Sequence, residues 1–269
     1  MSSCVRATAR VAPTPYLNNQ HLNTMLSSFF SYNQNFVMFG HEHVTVLVLT
    51  VALAILLPLY AKRNLSGRAQ VGLSRAMAVL IFISVVFYII VRIAHGYFDP
   101  KTDLPFDLCN LVGLLLPFLM WRPSYRAHEI LYFWILAGTL QGVLTPHLMD
   151  SFPTFTFFKF WITHSGLVIY TIYISVVFRF YPTRKSILRA FVAIQVYAVV
   201  MFLVNLVVGS NYAYLLHKPP TASLLDLFGP WPWYILVLEA LALVIFGLCY
   251  LPFWRAERAG RGYASSDPG

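Results

Sequence analysis

Charged residues are scarce in this chain of 269 residues. Only 11% are Asp, Glu, Lys or Arg, whereas soluble domains carry about 25%. This scarcity argues against a soluble globule of this size, and the 58% of apolar residues exclude a disordered or collagen-like chain. The apolar residues extend from Val44 to Trp254, so the sequence predicts a single lipid-embedded body.

Cysteine and acidic residues are few as well. Cys4, Cys109 and Cys249 have neither metal-site nor disulfide spacing, and the histidines have no partner at ligand spacing, so no metal site is predicted. The 10 acidic residues are outnumbered by 19 Lys and Arg, which gives a net charge of +9. These basic residues form short clusters between apolar runs, a pattern that sets membrane topology, so we expect no nucleic-acid partner.

Seven apolar runs are long enough to predict transmembrane helices, since a helix needs about 20 residues to cross the hydrocarbon core. The sequence therefore predicts an all-α, polytopic transmembrane helix bundle of about seven spans, at Val44–Tyr60, Leu73–Ala94, Phe106–Trp121, Ala127–Thr145, Phe155–Phe178, Ile187–Val208 and Trp233–Phe253. The third run is short and contains Pro117, which predicts a kinked or deeply set helix.

The basic residues predict how the bundle is oriented. Most Lys and Arg residues follow spans one, three and five or lie in the C-terminal tail, so the N-terminus is expected outside and the C-terminus in the cytoplasm. We expect residues 1–28 to be a disordered polar extension, with Met25 an alternative start of the chain. Residues 29–254 then form the membrane domain and residues 255–269 a basic cytoplasmic tail. Such a multi-pass protein would lie in the plasma membrane if its source is bacterial.

Polar and ionisable residues within the spans cluster near the predicted outer side. Such residues are costly in a bilayer and usually face the interior of a bundle, which makes them candidates for function. They predict an outer substrate-binding pocket formed by Arg92, Asn110, Gln141, Thr145, Lys159, Asn205 and Glu239.

Structural roles remain open for several of these residues. Arg92 could extend its side chain to the interface. Glu239 and Lys159 could form a structural ion pair, or each could bind backbone carbonyls. Gly138 and Gly142 could allow close helix packing. In a third interpretation, the polar residues only join the helices through hydrogen bonds.

Cys109 and His164 form the most specific candidate pair. A helix rises about 1.5 Å per residue, so Cys109 lies roughly 5 Å and His164 about 10–14 Å from the outer ends of their predicted spans. The two residues can meet if those spans adjoin. Cys109 follows Pro105 at a helix N-terminus, whose free N–H groups favour a thiolate nucleophile, whereas Asp107 and apolar burial oppose it. The alternative is that Cys109 is a small buried hydrophobe.

Several segments of the sequence resemble a known family. They are LPFDLCN at 104–110, LYFW, GTLQ and LTP within 131–146, FP, FF and TH within 152–164, and NYAYL and GPWPWY within 211–234. These segments resemble the YwaF-type integral membrane proteins, and the likeness extends from about Phe29 to Trp254. The sequence has Lys159 where a neutral polar residue is usual in that family, and Thr163 in place of a serine.

The resemblance implies a multi-helix membrane protein without cofactors. The eukaryotic branch of that family looks like a cysteine-dependent phospholipid acyltransferase, and its proposed catalytic pair corresponds to Cys109 and His164. The predicted reaction moves a fatty acyl chain between a phospholipid and a lysophospholipid through a cysteine thioester. In this reaction Asn110, Gln141 or Thr145 would stabilise the oxyanion, and Arg92 or Lys159 would bind the phosphate. The alternative is a non-enzymatic lipid- or solute-binding membrane protein or a transporter.

Overall fold

The computed structural model describes residues 28–31, 33–219 and 224–258, and this part of the chain is helical without a strand. All but the last residue of the predicted extension at residues 1–28 and most of the tail at 255–269 lie outside the described residues. The α-helices are α1 (His41–Asn64), α2 (Gly67–Ala94), α3 (Leu108–Met120), α4 (Tyr125–Trp134), α5 (Leu140–Leu144), α6 (Phe155–Val177), α7 (Arg184–Val208) and α8 (Trp233–Arg258). A π-helical segment, Ile135–Thr139, joins α4 to α5, and 3₁₀ turns occupy Tyr212–Tyr214 and Leu224–Phe228.

The long helices have the length and composition of membrane spans. Among the described residues α1, α2, α6, α7 and α8 are long and apolar enough to cross a bilayer, whereas α3 has 13 residues. Large apolar side chains such as Leu56, Ile90 and Val199 are exposed on these helices, as expected of surfaces that face lipid. The chain is therefore an integral, multi-pass membrane protein. The count of seven spans and the orientation of the termini remain predictions.

The fourth predicted span differs in kind from the helices observed, whereas the third matches α3 to within two residues. The third begins at Leu108, since Asp107 precedes the first helical residue, and Pro117 lies within it. The fourth is divided into α4, the π-helical segment and α5. A π-helical turn contains one residue more than an α-helical turn, which changes the direction of the side chains that follow and is frequent at functional sites.

Helix α6 is the centre of the bundle. It packs against α1 and α2, and it also contacts α3, the π-helical segment and α5. Its side chains are buried along its length, including Leu167, Tyr170, Tyr173 and Ile174. Thr154 caps its N-terminus by accepting a hydrogen bond from the Phe157 N–H at 3.4 Å. This central position brings the polar residues of α6 next to α3 and α5.

Candidate active site

Cys109 lies in the first turn of α3 and is half-buried. The Thr139 hydroxyl, at the end of the π-helical segment, donates a hydrogen bond to its sulfur at 3.4 Å. The first N–H groups of a helix have no partner within it and carry a partial positive charge. The thiol therefore lies where both a hydroxyl donor and a helix N-terminus would stabilise a negative charge on sulfur.

His164 lies on α6 in a defined tautomer. Its Nδ1 atom is 2.9 Å from the Phe160 carbonyl oxygen, and a carbonyl can only accept, so Nδ1 carries the proton. The ring also stacks on Phe160 with the two centroids 4.0 Å apart. These contacts fix the ring orientation and leave Nε2 with a free lone pair, which is the form that a general base requires.

The two candidate catalytic residues approach the same face of one helical turn. The imidazole packs against Gly142 so closely that a Cβ atom there would lie 3.2 Å from Nε2 and 2.7 Å from Cδ2. Thr139, which contacts the thiol, precedes Gly142 by three residues, and residues three apart are neighbours on a helix surface. Within residues 33–219 no hydrogen bond joins Cys109 to His164 directly. The turn Thr139–Gly142 therefore connects the thiol and the imidazole.

Lys159 adds a positive charge beside the cysteine. Its Nζ atom donates to Asn110 Oδ1 at 2.8 Å and lies 4.6 Å from the centroid of the Tyr88 ring. Because Asn110 directly follows Cys109, the ammonium group is held near the thiol. Glu239 lines a cavity whose wall does not include Lys159, and no salt bridge joins the two residues in the described part of the chain. The interpretation of Lys159 and Glu239 as an ion pair is therefore wrong.

Arg92 and Asn205 have structural contacts that account for their positions. Arg92 Nε is 3.0 Å from Asp103 Oδ2 in a salt bridge, which neutralises the charge that was expected to bind phosphate. Asn205 is fully buried; its Oδ1 accepts from Tyr212 N–H at 2.7 Å and from the Ser210 hydroxyl at 2.8 Å. Both residues hold loops at the end of the bundle where α3 begins.

A polar vestibule lies at this end of the bundle. It has a volume of about 420 Å³ and is lined by Lys101, Thr102, Asp107, Gly209, Ser210, Asn211, Tyr212, Tyr214 and His217. The Tyr212 hydroxyl accepts from Leu104 N–H at 3.0 Å and donates to Pro100 O at 2.7 Å, and burial raises the pKa of Tyr212 to about 12. This hydroxyl therefore stays protonated and joins two loops of the vestibule wall.

An apolar cleft lies beside the vestibule and consists of two adjoining cavities of about 370 Å³ each. Leu108, Gly138, Ile194, Leu238 and Ala242 line both cavities. The predicted pocket residues Gln141 and Thr145 line one of them, and Glu239 lines the other. The seven predicted pocket residues are thus distributed over several environments, and only Asn110 and Lys159 lie directly beside the cysteine.

Sequence reasoning missed Thr139 and the vestibule residues Lys101 and His217. Thr139 belongs to the GTLQ segment at 138–141 that carries the family resemblance, so its contact with the thiol had a signal in the sequence. Lys101 and His217 lie in loops between predicted spans, where basic residues are usually interpreted as topology signals. The predicted topology places both loops on the same side as Cys109, but only the fold brings Lys101 and His217 into one cavity.

The fold and the site together define a class: a multi-pass helical membrane protein with a cysteine and a histidine near one end of its bundle. The sequence profile of the TMEM164 family matches residues 38–250, and the chain belongs to that family. No curated protein and no solved structure matches the chain. The matched region includes every residue of the candidate site.

Proposed function

We propose that this protein transfers a fatty acyl chain from a phospholipid to a lysophospholipid through a thioester on Cys109. The observation that carries the proposal is the shared turn: the Thr139 hydroxyl contacts the Cys109 sulfur, and Gly142 contacts the His164 imidazole. A nucleophile and a base on two different helices thereby approach one surface, which is the arrangement needed for covalent acyl transfer.

The reaction would proceed in two halves. In the first, the Cys109 sulfur attacks the ester carbonyl of the donor while His164 Nε2 takes the thiol proton; the ester C–O bond then breaks, and the imidazolium gives that proton to the departing lysophospholipid. In the second, the hydroxyl of another lysophospholipid gives its proton to His164 and attacks the thioester. The C–S bond breaks, and the sulfur recovers the proton as the new phospholipid leaves.

Asn110 is suited to stabilise the oxyanion. Lysine can only donate, so the contact with Lys159 Nζ fixes the Asn110 carbonyl oxygen toward the ammonium group and leaves the amide N–H₂ free to donate elsewhere. An oxyanion donor in a site sheltered from water contributes about 3 kcal/mol to lowering the barrier. Lys159 would thus orient Asn110 and add positive charge, rather than bind the phosphate itself.

The membrane setting suits substrates that arrive laterally from the bilayer. In this proposal α3 and the divided α4–α5 segment complete seven spans, with the N-terminus outside, the C-terminus in the cytoplasm and the candidate site on the outer side. The likeness to YwaF-type proteins covers about Phe29 to Trp254, which contains the whole family match at 38–250. If the source is bacterial, the membrane is the plasma membrane.

Acyl transfer is tested with the purified full-length protein, a diacyl phospholipid and a labelled lysophospholipid. We expect labelled diacyl product, its loss in Cys109→Ser, and its retention in the matched control Cys249→Ser, which removes the half-buried thiol of α8. A donor with a labelled acyl chain should also leave hydroxylamine-sensitive label on Cys109. Full transfer by Cys109→Ala would contradict the thioester mechanism. A lipid that co-purifies without any transfer would support the non-enzymatic binding alternative.

A further inference from the structure

Helix α8 contacts the rest of the bundle at its first turn and from its middle onward, and it leaves a gap between these two contacts. At the first turn Tyr234 is buried and donates its hydroxyl to the Tyr214 carbonyl. From the middle onward Phe246 and Tyr250 are buried, and the Phe246 ring lies 5.0 Å from the Phe133 ring, centroid to centroid. The apolar cleft occupies the gap, and its wall on α8 extends from Ile235 to Phe246.

The lining of the cleft is mainly apolar, and its few polar side chains include Thr145, Gln195 and Glu239. Thr145 follows the last residue of α5, and Glu239 lies in the second turn of α8, so both are near the end that carries the vestibule. Further from the vestibule the walls of the cleft are formed mainly by Ile194, Ala242 and Ile245. Each cavity of about 370 Å³ falls within the range of about 300–1,000 Å³ typical of small-molecule sites.

Three consecutive residues connect the vestibule, the cleft and the candidate nucleophile. Asp107 lines the polar vestibule, Leu108 lines both cavities of the apolar cleft, and Cys109 follows. Tyr214 also lines both the vestibule and the cleft. An amphiphile with its polar group in the vestibule and its chain in the cleft would therefore have the bond between these two parts near Asp107 and Leu108. Cys109 lines neither space but is the next residue of the chain.

We infer that the apolar cleft binds the acyl chain of the donor phospholipid, and that the α8 side chain at position 242 limits the chain length accepted. This inference rests on the proposed function. The surrounding helices α7 and α8 expose mostly apolar side chains, so the cleft opens among surfaces that lipid chains cover in a bilayer. The acyl chains of membrane lipids are then the apolar groups present at high concentration at its opening.

The pair Ala242→Phe and Ala240→Phe tests the inference. Ala242 lines both cavities, whereas Ala240 is exposed on the same helix and lines neither, so the second variant is a matched control. Full-length protein receives an equimolar mixture of octanoyl and palmitoyl donor phospholipids, and mass spectrometry gives the ratio of the two products. We expect Ala242→Phe to lower the palmitoyl-to-octanoyl product ratio about tenfold. This is the low end of the discrimination that one methylene produces in an apolar pocket. Ala240→Phe should keep the wild-type ratio, and an unchanged ratio in both variants would overturn the inference.

Photo-crosslinking tests the same cleft without requiring acyl transfer and without substituting any residue that lines the cleft. A phospholipid with a diazirine in its acyl chain is added to Cys109→Ala protein in vesicles, and labelled peptides are identified. We expect more label on the cleft residues Ile194, Leu238 and Ala242 than on lipid-exposed residues of the same helices. These exposed controls are Val192, Val196 and Val244, and labelling of the cleft residues no stronger than theirs would overturn the inference. If the cleft is labelled but the wild-type protein transfers no acyl chain, the proposed function is overturned, and the cleft is still a site for lipid chains. Transfer by wild-type protein without labelling of the cleft would overturn the inference alone.

Discussion

Helices α6 and α8 are both apolar and long enough to span a bilayer, but the bundle surrounds only one of them. In α6, 61% of the most apolar window of 18 residues is buried, whereas the corresponding value for α8 is 17%. The central helix carries Lys159 and His164, and the peripheral one carries residues of the cleft wall such as Leu238 and Ala242.

This difference suggests a division of roles. Acyl transfer needs reacting groups held to within a fraction of an ångström, and closely packed helices provide that precision. A site for a flexible lipid chain needs a space that the protein itself does not fill. Substitutions beside α6 should therefore change the rate for every substrate, whereas substitutions on the inner face of α8 should change which substrate is used.

The largest effect is expected for Gly142→Ala. The new Cβ would lie 2.7 Å from His164 Cδ2, so the imidazole must move, and a displacement of about 1 Å in a catalytic group can reduce the rate about 100-fold. We expect the acyl-transfer rate to fall by about that factor for octanoyl and palmitoyl donors alike. Rates measured with each donor separately check the prediction.

Gly247→Ala is the matched control, because a Cβ at that position of α8 has no heavy atom within 4 Å. It should keep the wild-type rate with both donors. If Gly142→Ala transferred both chains at the wild-type rate, the packing of His164 against the Thr139–Gly142 turn would be irrelevant to the reaction. A change in chain preference without a change in rate would contradict the division of roles between the two helices.

A smaller effect, on stability, is expected for Asn205→Ala. The substitution removes two acceptor contacts and the donation from Nδ2 to the Tyr212 carbonyl at 3.0 Å, all in a fully buried position. A buried polar group left without a partner costs about 1–3 kcal/mol, so the unfolding midpoint in detergent should fall. The exposed residue Asn35 offers a control, since Asn35→Ala should leave the midpoint unchanged. An unchanged midpoint in Asn205→Ala would return Asn205 to the candidate substrate-binding residues.

The sequence predicts the long helices well because their signal is local. The predicted span Phe155–Phe178 corresponds to α6 at Phe155–Val177, and the span predicted from Trp233 begins there as α8. An apolar run of sufficient length bounded by polar residues is enough for such a prediction. The π-helical segment Ile135–Thr139 had no such signal, because the packing of its neighbours, such as Leu108 against Gly138, depends on the tertiary fold.

The site was predictable to the extent that its residues are unusual in an apolar span. Cys109, His164, Asn110 and Lys159 stand out for that reason, and the structure brings the last two into contact. The partner of Arg92 was not predictable, because Asp103 lies in a loop whose path is set by contacts such as Leu104 with Tyr212. Residue type thus identified the polar groups, and tertiary contacts determine whether each one is paired or available.

The smallest effect is expected for Tyr234→Phe, which removes the hydroxyl that joins α8 to the Tyr214 carbonyl. A single hydrogen bond contributes about 0.5–1.5 kcal/mol, so the unfolding midpoint should fall less than in Asn205→Ala. The end of α8 beside the vestibule would then be held less firmly, while the contacts of Phe246 in the middle of the helix remain. Because this substitution leaves α6 unchanged, the rate with octanoyl donors should stay within about twofold of wild type. A change of that size is smaller than the one that about 1 kcal/mol in the activation free energy would produce. If Tyr234→Phe lowered the midpoint as much as Asn205→Ala on α7, α8 would be held as firmly as α7, and its loose packing could no longer explain a cleft that admits a lipid chain.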